Sequence, residues 1–181
     1  MIKLLLTLSI FGASLYANVY TDFRNYLGNE NYMKACIAGK KIFLQNERDE
    51  KLLSAIGQAC LKADYIYVST IVQSRLRTTK DARNNAVVFA STLLQKRLIY
   101  QFMYDDTDIS TLGLPVSEHP LSYTFVAIRD KSYTVVSASP KIIKFKKDDK
   151  EYKVYINFQE KGRVIIEETT KNNKTITHRY L

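Results

Sequence analysis

DDTDISTLGLPVSEHP, residues 105–120, divides the chain and decides its fold class. The stretch concentrates acidic residues with Gly113, Pro115 and Pro120, the punctuation that ends regular structure. Upstream of it, from Thr21 to Tyr104, there is no proline, and apolar residues recur every three or four positions. Downstream, from Leu121, the spacing becomes two: Tyr123, Phe125 and Ala127 alternate with Thr124, Val126 and Ile128. A change of period from 3.6 to 2 is a change from helix to strand. The expectation is an α+β chain: a helical region over 18–104, a linker over 105–120 and an antiparallel sheet region over 121–181.

Within the helical region the spacing predicts about four antiparallel helices. NYMKACIAGKKIFLQ sets Tyr32, Ala35, Cys36, Gly39, Ile42 and Phe43 on neighbouring turns of one amphipathic helix. NERDE, 46–50, is a polar break whose acidic residues suit the start of the next helix, which carries Leu52, Leu53, Ile56, Cys60 and Leu61 on one broad stripe. After Asp64, YIYVSTIVQSRL supplies a further apolar face. Thr78 or Thr79 can cap the last helix, which is apolar around most of its circumference between Ala86 and Leu94 and is expected to be buried on more than one side. Short polar breaks make such helices antiparallel neighbours.

The sheet region reads as a meander of five to six strands. The first is expected over 121–128; YTVVSAS, KIIKFK, EYKVYINF, RVIIEETT and KTITHRY follow, parted by RDK, KDDK, KG and KNNK. The strand at 151–158 shows the cleanest alternation, with Tyr152, Val154, Ile156 and Phe158 expected inward and Lys153, Tyr155 and Asn157 outward. One apolar sheet face needs cover, which the helices could supply. Helices followed by a meander also resemble the cone-shaped nuclear transport factor 2-like folds, with more helices ahead of the first strand than that fold carries.

The first seventeen residues carry an address. MIKLLLTLSIFGASLYA has an early cation, Lys3, an apolar run from Leu4 to about Leu15, and a small residue at Ala17. The run falls short of the about 20 residues that span a bilayer, so it reads as a signal peptide over 1–17 cleaved near Ala17. The mature protein is then expected to be secreted, or periplasmic in a cell with two membranes. The whole chain has a formal charge of +9; without Lys3 it is +8 on 164 residues. A basic balance suits anionic partners such as lipid head groups, acidic glycans or an acidic protein face, and export argues against nucleic acid.

The chain has two cysteines, Cys36 and Cys60. A turn near Asn46–Asp49 folds their helices together and brings them to similar height, so in an oxidising compartment a structural disulfide is expected. Their spacing is not that of a C-x-x-C redox pair.

Tyr32 and Ala35 recur 33 positions later as Tyr65 and Val68, near the 34-residue period of tetratricopeptide repeats. Between them, Ile56, Gly57 and Cys60 stand where that family carries Leu, Gly and an aromatic residue. Residues 21–104 thus resemble a degenerate tetratricopeptide or Sel1-like helical hairpin array, with Val68 in place of the family's small residue and no closing proline. The resemblance implies a surface for binding a partner.

Signs of chemistry are few. His119 and His178 read as ordinary loop or surface residues, and no H-E-x-x-H or paired C-x-x-C spacing suggests a metal, so no cofactor is expected. Six glycines form no phosphate-cradling loop or nucleophile elbow. Glu167 and Glu168 are adjacent in a strand and point to opposite faces, poor geometry for shared acid–base work. The one positive feature is a set of cations and an aromatic on the polar faces of late strands, Lys153, Tyr155, Arg163 and Arg179, candidates for binding an anionic ligand or a protein. The expected function is that of a non-catalytic binding or scaffold protein of the cell envelope, docking a protein partner on its helices. A binder of an anionic lipid or glycan between sheet and helices is the alternative, and a small hydrolase the third.

Overall fold

The computed structural model of the protein describes residues 18–180, and the helices that open at Tyr32, Glu50 and Pro120 start where capping side chains stand. The expected signal peptide, 1–17, lies outside the described residues. The chain is α+β, with six helices followed by a five-stranded antiparallel sheet among the described residues. It divides into two compact units between Ala86 and Val87.

Among the described residues the first unit opens with α1, over residues 18–28. Next come α2 (Tyr32–Leu44), α3 (Glu50–Lys62) and α4 (Ile66–Gln73). Asn31 accepts the Lys34 N–H ahead of α2, and Asp49 accepts those of Lys51 and Leu52 ahead of α3, satisfying amides that have no partner within the helix. Asn46 and Asp64 halt α2 and α3 in the left-handed region, at φ 61° and 63°. The predicted stripes face each other: Ala35, Cys36, Gly39 and Ile42 on α2, with Leu53, Ile56 and Cys60 on α3, all buried.

Gly39 is required where these helices meet. A Cβ there would lie 2.8 Å from both γ carbons of Ile56, so the absence of a side chain is what lets the helices approach. One turn away the expected disulfide Cys36–Cys60 bridges the same pair, with Cα atoms 4.7 Å apart. The buried Ser69 hydroxyl of α4 donates to the Gly57 carbonyl at 2.8 Å. In the loop after α4, the Glu50 carboxylate accepts four hydrogen bonds, from the N–H groups of Arg77, Thr78 and Thr79 and the Thr78 hydroxyl. The Thr78 hydroxyl bond and then the backbone bonds hold the Glu50 pKa down at about 2.

Helix α5 (Lys80–Asp105) crosses the division between the units. Thr79 accepts the Ala82 N–H, as expected of its cap. The expectation of burial on more than one side fails, since Val87 and Leu94 are 49% and 45% exposed. The helix buries a single stripe, Phe89, Thr92, Lys96, Ile99 and Met103.

In the second unit, 121–128 is not a strand. It lies in a sixth helix, α6 (Pro120–Arg129), which buries Leu121, Thr124, Phe125 and Ile128 at helical spacing. His119 caps it through its ring, Nδ1 accepting the Leu121 N–H, and Pro120 takes the first helical position, where its missing N–H costs nothing. His119 is therefore a buried structural residue.

The strands β1 (Thr134–Ala138), β2 (Lys141–Lys147), β3 (Lys150–Asn157), β4 (Arg163–Thr170) and β5 (Thr175–Tyr180) lie in sequence order. The β3–β4 register pairs Tyr152 with Glu168, Val154 with Ile166 and Ile156 with Val164, which sets these residues on one face. Ile143, Phe145 and Tyr180 join it through the neighbouring registers. Tyr152 stacks on Phe145 at 4.9 Å and meets Tyr123 of α6 edge-on at 6.0 Å, while His119 meets Tyr180 at 5.8 Å, so α6 covers this face. Phe158, expected inward, lies past the end of β3 and is 55% exposed against Tyr104. Glu168 sits on the buried face, its carboxylate 2.7 Å from Lys150 Nζ.

Candidate functional site

A helix packed on one side has a second side to account for. On α2 the stripe facing α3 leaves Met33, Ile37 and Leu44, and these are 43%, 51% and 66% exposed. Spaced by four and seven positions, they lie on one line along the helix. Lys40 flanks that line on one side, and Lys34 and Lys41 flank it on the other. The helix carries no acidic residue.

Beside this line runs a groove between α1 and α2, lined by Val19, Asp22 and Tyr26 from α1 and Lys34, Ile37, Ala38 and Lys41 from α2. Val19, Asp22 and Tyr26 face it together because they are three and four positions apart. Lys34 lies over the Tyr26 ring, 5.6 Å from its centre. The groove holds about 170 Å³. That is on the scale of the ~150 Å³ enclosed cavity known to take up benzene, while this groove is open to solvent and carries Asp22, Lys34 and Lys41 in its lining. One branched aliphatic or phenyl group therefore fits.

Cys36 and Cys60 are bonded to each other, and α2 is thereby tied to α3 through its buried stripe. The sequence-derived candidates on the sheet also converge. Lys153, Tyr155, Arg163 and Arg179 all occupy the outer face of β3, β4 and β5, as the registers Lys153–Glu167, Tyr155–Ile165, Asn157–Arg163 and Ile165–Arg179 require. Each faces a carboxylate of its own unit. Lys153 Nζ lies 3.2 Å from Glu167, to which the Tyr155 hydroxyl also donates at 2.9 Å. Arg163 and Arg179 lie 3.3 and 3.9 Å from one oxygen of Glu160. Beneath them Ile165 is only 1% exposed although it points outward, since Tyr155 and Arg179 flank it in register. Burial first, and then the hydrogen bond to Glu167, raises the Tyr155 pKa above its ordinary value. The face works as an ion-pair layer roofing Ile165, with Arg163 Nε buried and left without a hydrogen-bond partner, and long charged side chains are suited to covering apolar surface in this way.

Glu167 and Glu168 point to opposite faces, as expected, one paired with Lys153 and the other with Lys150. Among the described residues no group of three or more His, Cys, Asp or Glu is placed to hold a metal ion, and no helix is long and apolar enough to cross a membrane. The α1–α2 groove was missed at the level of sequence; its signal was that Met33, Ile37 and Leu44 are surplus to a stripe already complete without them. Comparison with protein-family models, with curated proteins and with solved structures finds no match for this chain.

Proposed function

We propose that the protein is an exported, non-catalytic binding module of the cell envelope that docks a protein partner on its helical unit, as the resemblance to helical hairpin arrays implies. The observation that carries the reading is the outer side of α2: three large apolar side chains in line, beside a groove of side-chain size, on a helix whose opposite side is fully engaged. Aligned exposed apolar residues beside a concavity are how soluble proteins present an interaction site. The Cys36–Cys60 bridge supports the same reading in two ways. Such bonds persist in oxidising compartments, where exported proteins reside. A bolted α2–α3 pair also gives α2 a stiff backing, which lowers the ordering cost of docking.

Site-specific photo-crosslinking in the native envelope tests it. A photoreactive residue at Ile37 or Leu44 should give one discrete protein adduct, and the same residue at Val135, exposed on β1, should not. Equal adducts from all three positions, or an adduct with lipid or glycan alone, would overturn the reading.

A further inference from the structure

The charge pattern around the groove narrows the partner. We propose that the α1–α2 surface accepts an acidic amphipathic helix, laid along α2 with one aliphatic or aromatic side chain in the groove and carboxylates on both flanks; this rests on the docking function proposed above.

The argument is one of complementarity. Apolar Met33, Ile37 and Leu44 repeat at helical spacing over three turns, so they match a partner whose own apolar residues repeat in the same way. Lysines bracket that line on both sides, and α2 offers them no acidic neighbour. Lys34, Lys40 and Lys41 are all exposed. A partner with glutamates or aspartates flanking its apolar stripe meets a cation on each side, and a basic one meets like charge on each side. An anionic membrane surface would answer the same lysines, but Asp22 lines the groove together with Tyr26. Its carboxylate repels a plane of phosphates, while a helix can set a neutral or cationic residue opposite it. The concavity also takes a single protruding side chain, which a lipid surface does not present.

The test is fluorescence anisotropy of the full chain with labelled peptides about 20 residues long, a length that spans the 13 residues of α2 with a turn to spare at each end. One has leucines at every third and fourth position flanked by glutamates, a twin replaces the glutamates with lysines, and a scramble keeps the acidic composition. The acidic helix should bind at least about tenfold more tightly than its scramble and lose about tenfold on Ile37→Ser, an exposed position where circular dichroism checks that the fold is kept. Lys34→Glu combined with Lys41→Glu should abolish its binding and let the lysine twin bind instead. Asp22→Asn should tighten the all-glutamate helix a few-fold. If the twin binds the wild type as well as the acidic helix does, and both lose affinity on Ile37→Ser, the acidic assignment is wrong and the docking surface stands. If no peptide responds to Ile37→Ser while vesicles containing anionic phospholipid bind and respond to the lysine substitutions, the docking reading itself fails.

Discussion

Gly39→Ala puts a methyl group where α2 and α3 are closest, and two opposing terms decide its sign. Alanine is favoured over glycine in a helix interior by about 1 kcal/mol, so on propensity alone the substitution stabilises. Against this, the new Cβ would sit 2.8 Å from Ile56 Cγ1 and Cγ2 and 3.2 Å from its Cβ. Carbon atoms in good contact stand about 3.5–4.0 Å apart, so the helices must part by roughly 0.7 Å or more. Ile56 cannot swing away, because its branch is at Cβ and the side chain is completely buried. The Cys36–Cys60 bond, one turn from Gly39, resists the separation. Overpacking of this kind costs about 1–3 kcal/mol, and the bond argues for the upper half of that range. The net expectation is destabilisation of about 1–2 kcal/mol, which in a unit of this size lowers the melting temperature by about 4–8 °C per kcal/mol. Urea denaturation followed by helical circular dichroism reads it directly. Ile56→Ala alone should cost about 2–5 kcal/mol, and with Gly39→Ala it should cost less than the sum by about 1–3 kcal/mol, because the added methyl occupies part of the space vacated. A Gly39→Ala protein more stable than the wild type, or a double variant additive within about 0.5 kcal/mol, would refute the close-approach argument.

Four further outcomes follow from particular contacts. The Cys36–Cys60 bond closes a separation of 24 residues, for which loop entropy gives about 3.5 kcal/mol; the Cys36→Ala, Cys60→Ala protein should lose stability of that order, and the intact mass of the wild type under non-reducing conditions should be two hydrogen atoms lighter than that of the reduced chain. Glu50, whose folded pKa of about 2 lies below the ordinary 4.5, contributes stability that is present above pH 4.5 and lost as pH falls toward 2; Glu50→Gln should flatten acid titration of stability in that window. Burial, reinforced by the Glu168 carboxylate, raises the Tyr152 pKa well above 10, so the fold should hold up to pH 10 and weaken as pH rises beyond it, and Tyr152→Phe should reduce that alkaline slope in urea titrations, leaving the part due to the other tyrosines with raised pKa. Phe125→Ala on α6 removes a completely buried ring and should cost about 3–5 kcal/mol by urea denaturation; a loss below 1 kcal/mol would mean that α6 does not cover the sheet.

The helical half was legible because its apolar residues keep one period for long enough to be unambiguous. The α2–α3 pairing and the disulfide followed from a single polar break between two such stripes. The segment at 121–128 was misread because Thr124, Val126 and Ile128 are β-branched and sit beside Tyr123 and Phe125, the composition of a strand. The stronger signal was the pair His119–Pro120, a cap followed by the residue best suited to a first helical position. On the sheet, the sequence could nominate Lys153, Tyr155, Arg163 and Arg179 but could not show their neighbours. Which carboxylate opposes which cation depends on register, and the β3–β4 register sets Glu167 across from Lys153. The groove was the least legible feature of all, since the stripe Tyr32, Ala35, Cys36, Gly39, Ile42 and Phe43 leaves Ile37 out but does not say what α1 sets beside it.

In both units the strongest neighbours in space are neighbours in sequence: α2 with α3, α3 with α4, and five strands whose order in the sheet is their order in the chain. Chains of this kind have low contact order and fold quickly, because no long loop must close before the first contacts form. Each helical hairpin can be complete shortly after its second helix emerges from a ribosome or a translocation channel, and each strand finds its partner already waiting. Growth from the N-terminus then leaves only β1 and the newest strand with an open edge at any moment, so each interior strand could capture another chain only in the short interval before its successor arrives.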